Sequence, residues 1–169
     1  AKLALFATDK KPVTAETVQD VVGGWRTKST WDMIDAACDG HTAEALTQLD
    51  HLLQSGEHPL ALFGQIAWSL RRYAAATRAF QRAHRRGERI GLREALLAGG
   101  FKDWPQGALA KAEERLKQLG RHRAGRIYAW LLEADLAMKG THSHEHRARW
   151  VLEQLVLRLA KDAKPAVSG

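Results

Sequence analysis

The chain has little with which to build strands or covalent cross-links. Cys38 is the one cysteine in 169 residues, so no internal disulfide can form. That fits a reducing compartment and predicts a cytoplasmic protein. Sustained period-two alternation is absent, and Val, Ile and Thr are sparse beside Ala and Leu, which argues against a sheet. No run approaches the roughly 18–20 uninterrupted apolar residues that a membrane-spanning helix needs, so no membrane partner is expected. Ala1 to Thr8 do not have the form of a signal peptide. There is no initiator methionine and the opening AKLALFA reads as mid-helix, so the chain is expected to be the carboxy-terminal part of a longer protein. Phosphate cradles are missing too. The pairs Gly23-Gly24 and Gly99-Gly100 are followed by no Lys-Ser/Thr signature and preceded by no strand. No nucleotide or other cofactor is expected.

What is present is ordinary globular composition, 45% hydrophobic and 27% charged. The net charge is +7 and the pI about 9.9, which favours nucleic acid or acidic protein surfaces as neighbours and says nothing of fold. Helix signals recur along the whole length. Leu3, Leu5 and Phe6 end a first helix, and Lys10 to Pro12 make a turn. Thr14 caps a short helix that Gly23 and Gly24 stop. Ser29 or Thr30 is expected to cap a helix carrying Trp31, Ile34 and Cys38, closed by Gly40. Thr42 is expected to cap the next, with Leu46, Leu49, Leu52 and Leu53 on one stripe up to Gly56. Pro59 opens a long helix with Leu60, Phe63, Ile66, Leu70 and Tyr73 at helical spacing, stopped by Gly87. A short helix spans Leu92 to Ala98. Asp103 and Pro105 open another that ends at Gly120, and one more runs from His122 to Lys139. Ser143 caps the last, with Val151, Leu152, Leu155 and Leu159. Short connections and one apolar stripe per helix predict an all-α, compact helical bundle. The expected division is residues 1–24 as the end of a preceding helical domain, 25–30 as linker, 31–162 as the bundle and 163–169 as a loose tail.

The search for chemistry is mostly negative. His142, His144 and His146 with Glu145 do not make the HExxH pattern, and residues two apart on a helix point about 200° apart, so a polar loop is the preferred reading. Cys38 lies on an apolar stripe and reads as an inert core thiol. No nucleophile, base and orienting group stand out, so catalytic residues, metal ligands and cofactor ligands are all set at none. Two charged features remain. Arg71, Arg78, Arg82, Arg85 and Arg89 recur at spacings of three, four and seven, with Arg72 and Arg86 beside them, and are expected to share one side of the long helix as a face for DNA or another subunit. A second basic cluster is Arg121, His122, Arg123 and Arg126. Asp135, on the edge of an apolar stripe, needs a cation: either within the chain, the preferred reading, or across a subunit boundary. The six tryptophans, Trp25, Trp31, Trp68, Trp104, Trp130 and Trp150, are expected to be mostly core, with one or two at an interface.

Three segments in order carry a resemblance. They are Trp31 to Leu60 (WDMIDAACDGHTAEALTQLDHLLQSGEHPL), Leu131 to Gly140 (LLEADLAMKG) and Leu152 to Leu159 (LEQLVLRL). Together they resemble the carboxy-terminal region of the delta-subunit family of bacterial DNA polymerase III, part of the sliding-clamp loader. Residues 1–24, with VTAETVQDVVG, resemble the end of that family's lid-like middle domain. The segment from Arg78 to Arg126 matches only loosely. The resemblance implies that residues 31–162 are a collar domain, without a working P-loop, that packs beside those of the tau/gamma and delta-prime subunits. The ring so held opens the clamp and loads it onto primed DNA in replication, while other subunits hydrolyse ATP. Contact with the sliding clamp is implied only through the family's first domain, which this sequence does not contain. The alternative is a helical nucleic-acid-binding domain that uses its arginine-rich faces.

Overall fold

The computed structural model describes residues 28–104, 106–139 and 145–160, without the side chains of 145 and 146. The expected lid-domain end at 1–24, Trp25, Pro105, the cap at Ser143, His142, His144, the side chain of His146 and the tail at 163–169 lie outside the described residues. Among the described residues the chain is all helical: α1 (28–39), α2 (Thr42–Gln54), α3 (Pro59–Arg85), α4 (Leu92–Ala98), α5 (Ala108–Lys139) and α6 (Glu145–Ala160), with no strand. They form a compact bundle around one continuous apolar core.

Each element follows from its pattern. In α1, Met33, Ile34, Ala37 and Cys38 are buried at three- and four-residue spacing. The helix is already present at residue 28, so Ser29 and Thr30 lie within it rather than capping it. Thr30 is buried instead, its hydroxyl 3.1 Å from Gln65 Oε1 on α3. Gly40, at φ 84°, turns the chain, and the N–H of His41 donates to Ala36 O at 2.9 Å. His41 therefore takes the cap position before α2, and Thr42 is the first helical residue, its hydroxyl facing Gly40 O. The turn after Gly40 has used the chain length that a Thr42 cap would need.

Helix α3, 27 residues long, is the central post. Pro59 sits at its first position, and His58 caps it by accepting the Leu60 N–H on Nδ1 at 3.3 Å. Its buried stripe runs through Leu62, Phe63, Ile66, Leu70, Tyr73 and Ala74. It packs against α4, α5 and α6, while α2 and α4 lean on α6 and α5 respectively. Gly87, at φ 75°, ends it. Helix α5 contains a break where the sequence places a helix end: Gly120 has φ 67° and ψ 163°, which divides α5 into 108–119 and 121–139.

Arg123 holds that break. Only 5% exposed, it donates from Nε to Leu119 O at 2.9 Å, and from its two terminal nitrogens to Leu159 O and Gln118 O. Gln118 and Leu119 stand in the last turn of the first α5 segment, where carbonyls lack intrahelical donors, and Leu159 stands in the last described turn of α6. One guanidinium thus joins the end of the first α5 segment to α6. A second tie is Arg115, which bridges Asp35 (2.7 Å) and Asp39 and so fastens α5 to α1. These carboxylates hold the Arg115 guanidinium above its ordinary pKa, the contact with Asp35 contributing most.

Candidate functional site

The arginine face is smaller than the spacing predicts. Arg71, Arg78, Arg82 and Arg85 are all exposed on α3. Arg89 does not join them: after Gly87 the chain turns back, with the Glu88 N–H on Ala83 O at 3.0 Å, so Arg89 stands in a loop where helical spacing no longer applies. Arg78 is occupied, its guanidinium 3.8 Å above the Tyr128 ring on α5. Arg86 pairs with Glu88 at 3.2 Å. Arg71, Arg82 and Arg85 have no carboxylate within 4 Å among the described residues. The second cluster divides as well. Arg121 and Arg126 are exposed, but Arg123 is the buried tie described above. Asp135 is paired within its own helix, with Lys139 Nζ 2.8 Å from Oδ1. The preferred intramolecular pair is therefore present, with the lysine one turn on as the partner.

The tryptophans depart most from expectation. Of the five described, Trp130 alone is buried, while Trp68 and Trp150 are more than half exposed and Trp104 is 83% exposed. A solvent-facing indole gives up hydrophobic free energy unless something covers it. They fall in two places.

The first is a groove of about 540 Å³ between α1, α3, the α4–α5 loop and the start of α5. Trp31 and Trp68 meet edge to face at 5.7 Å. One turn beyond Trp68, the Arg72 guanidinium lies 4.8 Å from the Trp68 ring and 4.1 Å from the Phe101 ring. It donates to Gly100 O at 2.8 Å, while its Nε is buried without a hydrogen-bond partner among the described residues. Burial lowers its pKa from the ordinary arginine value. Tyr73 packs on Phe101 at 4.8 Å from below. Lys102, Trp104 and Lys111 complete the walls. The acid in the groove, Asp35, is already held by Arg115, and Asp103 beside it is held by Arg93. The net character is aromatic and cationic.

The second place lies along α5 and α6. Leu132 and Leu136, one turn apart on the second α5 segment, are about 60% exposed, although Leu131, Ala134 and Met138 on the same segment are core. Between α5 and α6 a shallow cleft of about 190 Å³ is lined by Trp130, Ala134, Ala137, Trp150 and Leu155. Ion pairs rim this region: Arg158 with Glu133, and Arg149 with both Glu153 (2.9 Å) and Asp50 on α2 (2.8 Å).

Neither place has groups arranged for bond-making. Cys38 is fully buried, and burial, with Asp35 adding to it, pushes its thiol up to about 12. It is therefore a packing residue. Among the described residues no three His, Cys, Asp or Glu side chains converge as a metal would need. No described helix is long and apolar enough to cross a membrane.

Sequence reading missed the groove because its parts come from four separate segments. A faint local signal existed: Trp68 and Arg72 are four apart on one helix, and Phe101, Lys102 and Trp104 alternate ring and charge in a loop. Comparison with protein-family models, curated proteins and solved structures finds nothing that matches this chain.

Proposed function

We propose that this chain is a non-catalytic packing module, the collar domain of a clamp-loader delta-type subunit, which helps to hold the loader ring together during replication. The observation that carries the reading is the exposure of three large apolar side chains on α5 and α6, Leu132, Leu136 and Trp150. Leu132 and Leu136 fall inside one of the segments that resemble the delta family, and Trp150 stands just before another. A collar domain must keep its own core and still offer apolar side chains to a neighbour, and α5 does both. Covering a fully exposed leucine or tryptophan stabilises association by roughly 1.5–3 kcal/mol each before ordering costs are subtracted. The rimming ion pairs would set register more than affinity. On this reading ATP is hydrolysed by the neighbouring tau/gamma subunits.

The test is association in solution. The full chain, mixed with tau/gamma and delta-prime collar domains, is expected to elute with them in size-exclusion chromatography. Leu132→Ser with Leu136→Ser should abolish co-elution and leave helical circular dichroism unchanged, because both residues already face solvent. A wild-type chain that elutes alone under all conditions refutes the collar reading.

The exposed, unpaired Arg71, Arg82 and Arg85 favour a second reading, a phosphate-backbone contact to primed DNA. It predicts duplex binding that weakens steeply with salt and with Arg71→Ala, Arg82→Ala and Arg85→Ala together.

A further inference from the structure

We infer that the groove of Trp31, Trp68, Phe101 and Trp104 is a binding site for single-stranded nucleic acid, distinct from both the α5–α6 face and the arginine face of α3. Three observations converge. The first is exposure: Trp68 on α3 and Trp104 in the α4–α5 loop both line one groove, both are more than half exposed, and neither belongs to the core. The second is charge. Arg72, Lys102 and Lys111 line the groove with no carboxylate within 4 Å among the described residues, whereas the neighbouring acids are paired, Asp103 with Arg93 and Asp35 with Arg115, which it shares with Asp39. An anion entering the groove therefore meets uncompensated cations. The third is order. Arg72 is set between the Trp68 and Phe101 rings, and Lys102 stands between Phe101 and Trp104 in the chain. Ring and cation alternate, as base and phosphate alternate along a single strand.

The chemistry selects among anionic polymers. A duplex keeps its bases stacked on each other and offers no free faces to indoles, whereas a single strand offers one per nucleotide. An acidic peptide supplies charge but a flat ring only where an aromatic residue happens to fall. Lipid headgroups supply no rings at all. Stacking on an aromatic side chain is tolerant of base identity, so the site is expected to bind strands without strong sequence preference. Arg72 has a positioning share as well: locked between two rings and bound to Gly100 O, its guanidinium meets a ligand without losing rotamer freedom.

The experiment is fluorescence anisotropy of a labelled oligo-dT of about ten nucleotides, a length within the usual single-strand footprint, titrated with the full chain. Intrinsic tryptophan quenching is followed in parallel. Trp68→Ala and Trp104→Ala are each expected to weaken binding about tenfold, and Trp104→Phe to restore most of the loss because a stacking ring remains. Both residues are exposed, so unchanged thermal melting separates lost binding from lost folding. Lys102→Gln with Lys111→Gln should lower the slope of log affinity against log salt by roughly 1.4, from about 0.7 per phosphate contact. Lys117→Gln, which removes an exposed cation of α5 paired with Glu113 and away from the groove, should change affinity less than twofold. The inference is overturned if no binding is seen at low salt, or if binding depends on Arg82 and Arg85 but not on the tryptophans. It is also overturned if an aromatic-containing acidic peptide of equal charge binds more tightly than the oligonucleotide. Failure of the collar mixing experiment would leave these outcomes as they are.

Discussion

Replacing Arg123 with methionine tests how the break at Gly120 is tolerated. The side chain is buried and its acceptors are the Leu119, Gln118 and Leu159 carbonyls. In the wild type the end of the first α5 segment, which carries the negative pole of its dipole, and the Leu159 carbonyl of α6 face one cation. Methionine preserves much of the aliphatic packing but donates nothing. A buried acceptor left without a donor costs about 1–3 kcal/mol. The Gln118 contact is part-buried, so water can replace that donor in part, whereas those to Leu119 and Leu159 are buried. Two full losses and one partial loss, offset by the relief of desolvating a guanidinium, come to roughly 3–4 kcal/mol. Against the 5–15 kcal/mol usual for a whole domain, that is a large fraction. With an urea m-value of about 2 kcal/mol per molar, the unfolding midpoint should fall by roughly 2 M. Arg123→Lys, which keeps the charge but reaches only one or two of the carbonyls, should recover less than half of the loss. Equilibrium urea unfolding followed by circular dichroism decides the matter. A methionine variant within about 1 kcal/mol of wild type, or a lysine variant equal to it, would refute the claim that a forked donor joins the first α5 segment to α6.

The adjacent glycines 99 and 100 should fail for different reasons. A Cβ on Gly99 would lie 2.7 Å from Arg72 O and 2.8 Å from Ala76 N, backbone atoms of α3 that cannot yield, so Gly99→Ala should cost about 1–3 kcal/mol by forcing α4 off α3. Gly100 has open space but φ 89°, so Gly100→Ala should cost about 1 kcal/mol while Gly100→Asn is nearly neutral; equal melting temperatures for the two asparagine variants at 99 and 100 would contradict this. For Cys38, the folded thiol is pushed up to about 12 from an ordinary value of 9.0. The unfolded chain therefore loses its proton first, and stability falls as pH rises between those values, by about 1.4 kcal/mol per unit from this group. Cys38→Ala lacks that component, so the stability gap between wild type and variant should narrow between pH 9 and 11, and a constant gap would refute the assignment.

What the sequence made legible is what local chemistry decides. Pro59 opens α3 and Gly87 ends it, because one residue has no N–H to waste and the other accepts a left-handed turn. The same logic located α4 at Leu92–Ala98 and the break at Gly120. Local chemistry also misled where two signals competed. Thr42 is a good cap by type, but Gly40 had already turned the chain, so His41 took the position. Arg89 continued a numerical spacing past a glycine that stops the helix on which the spacing depends.

The larger errors were tertiary, and they share a cause. Residue type was allowed to stand for environment. Arg123 belongs by type to a surface cluster with Arg121 and Arg126, yet the rotation of the chain at Gly120 turns it inward, where it donates to carbonyls of the broken α5 and of α6. Trp68 and Trp104 belong by type to the core, yet Trp68 sits one position beyond the buried Ala67 and Trp104 in a loop, and both face out. A charged residue drawn in and aromatic residues turned out are each costly alone. The first is repaid within the chain by three hydrogen bonds. For the second, Trp68 has Trp31 at its edge and Arg72 over its ring, but among the described residues Trp104 has neither a ring nor a cation contact. That asymmetry is why Arg123 is assigned to stability and the Trp68–Trp104 groove to a ligand. It is also why the two should separate experimentally, Arg123 variants shifting the unfolding midpoint and Trp104 variants leaving it in place while binding is lost.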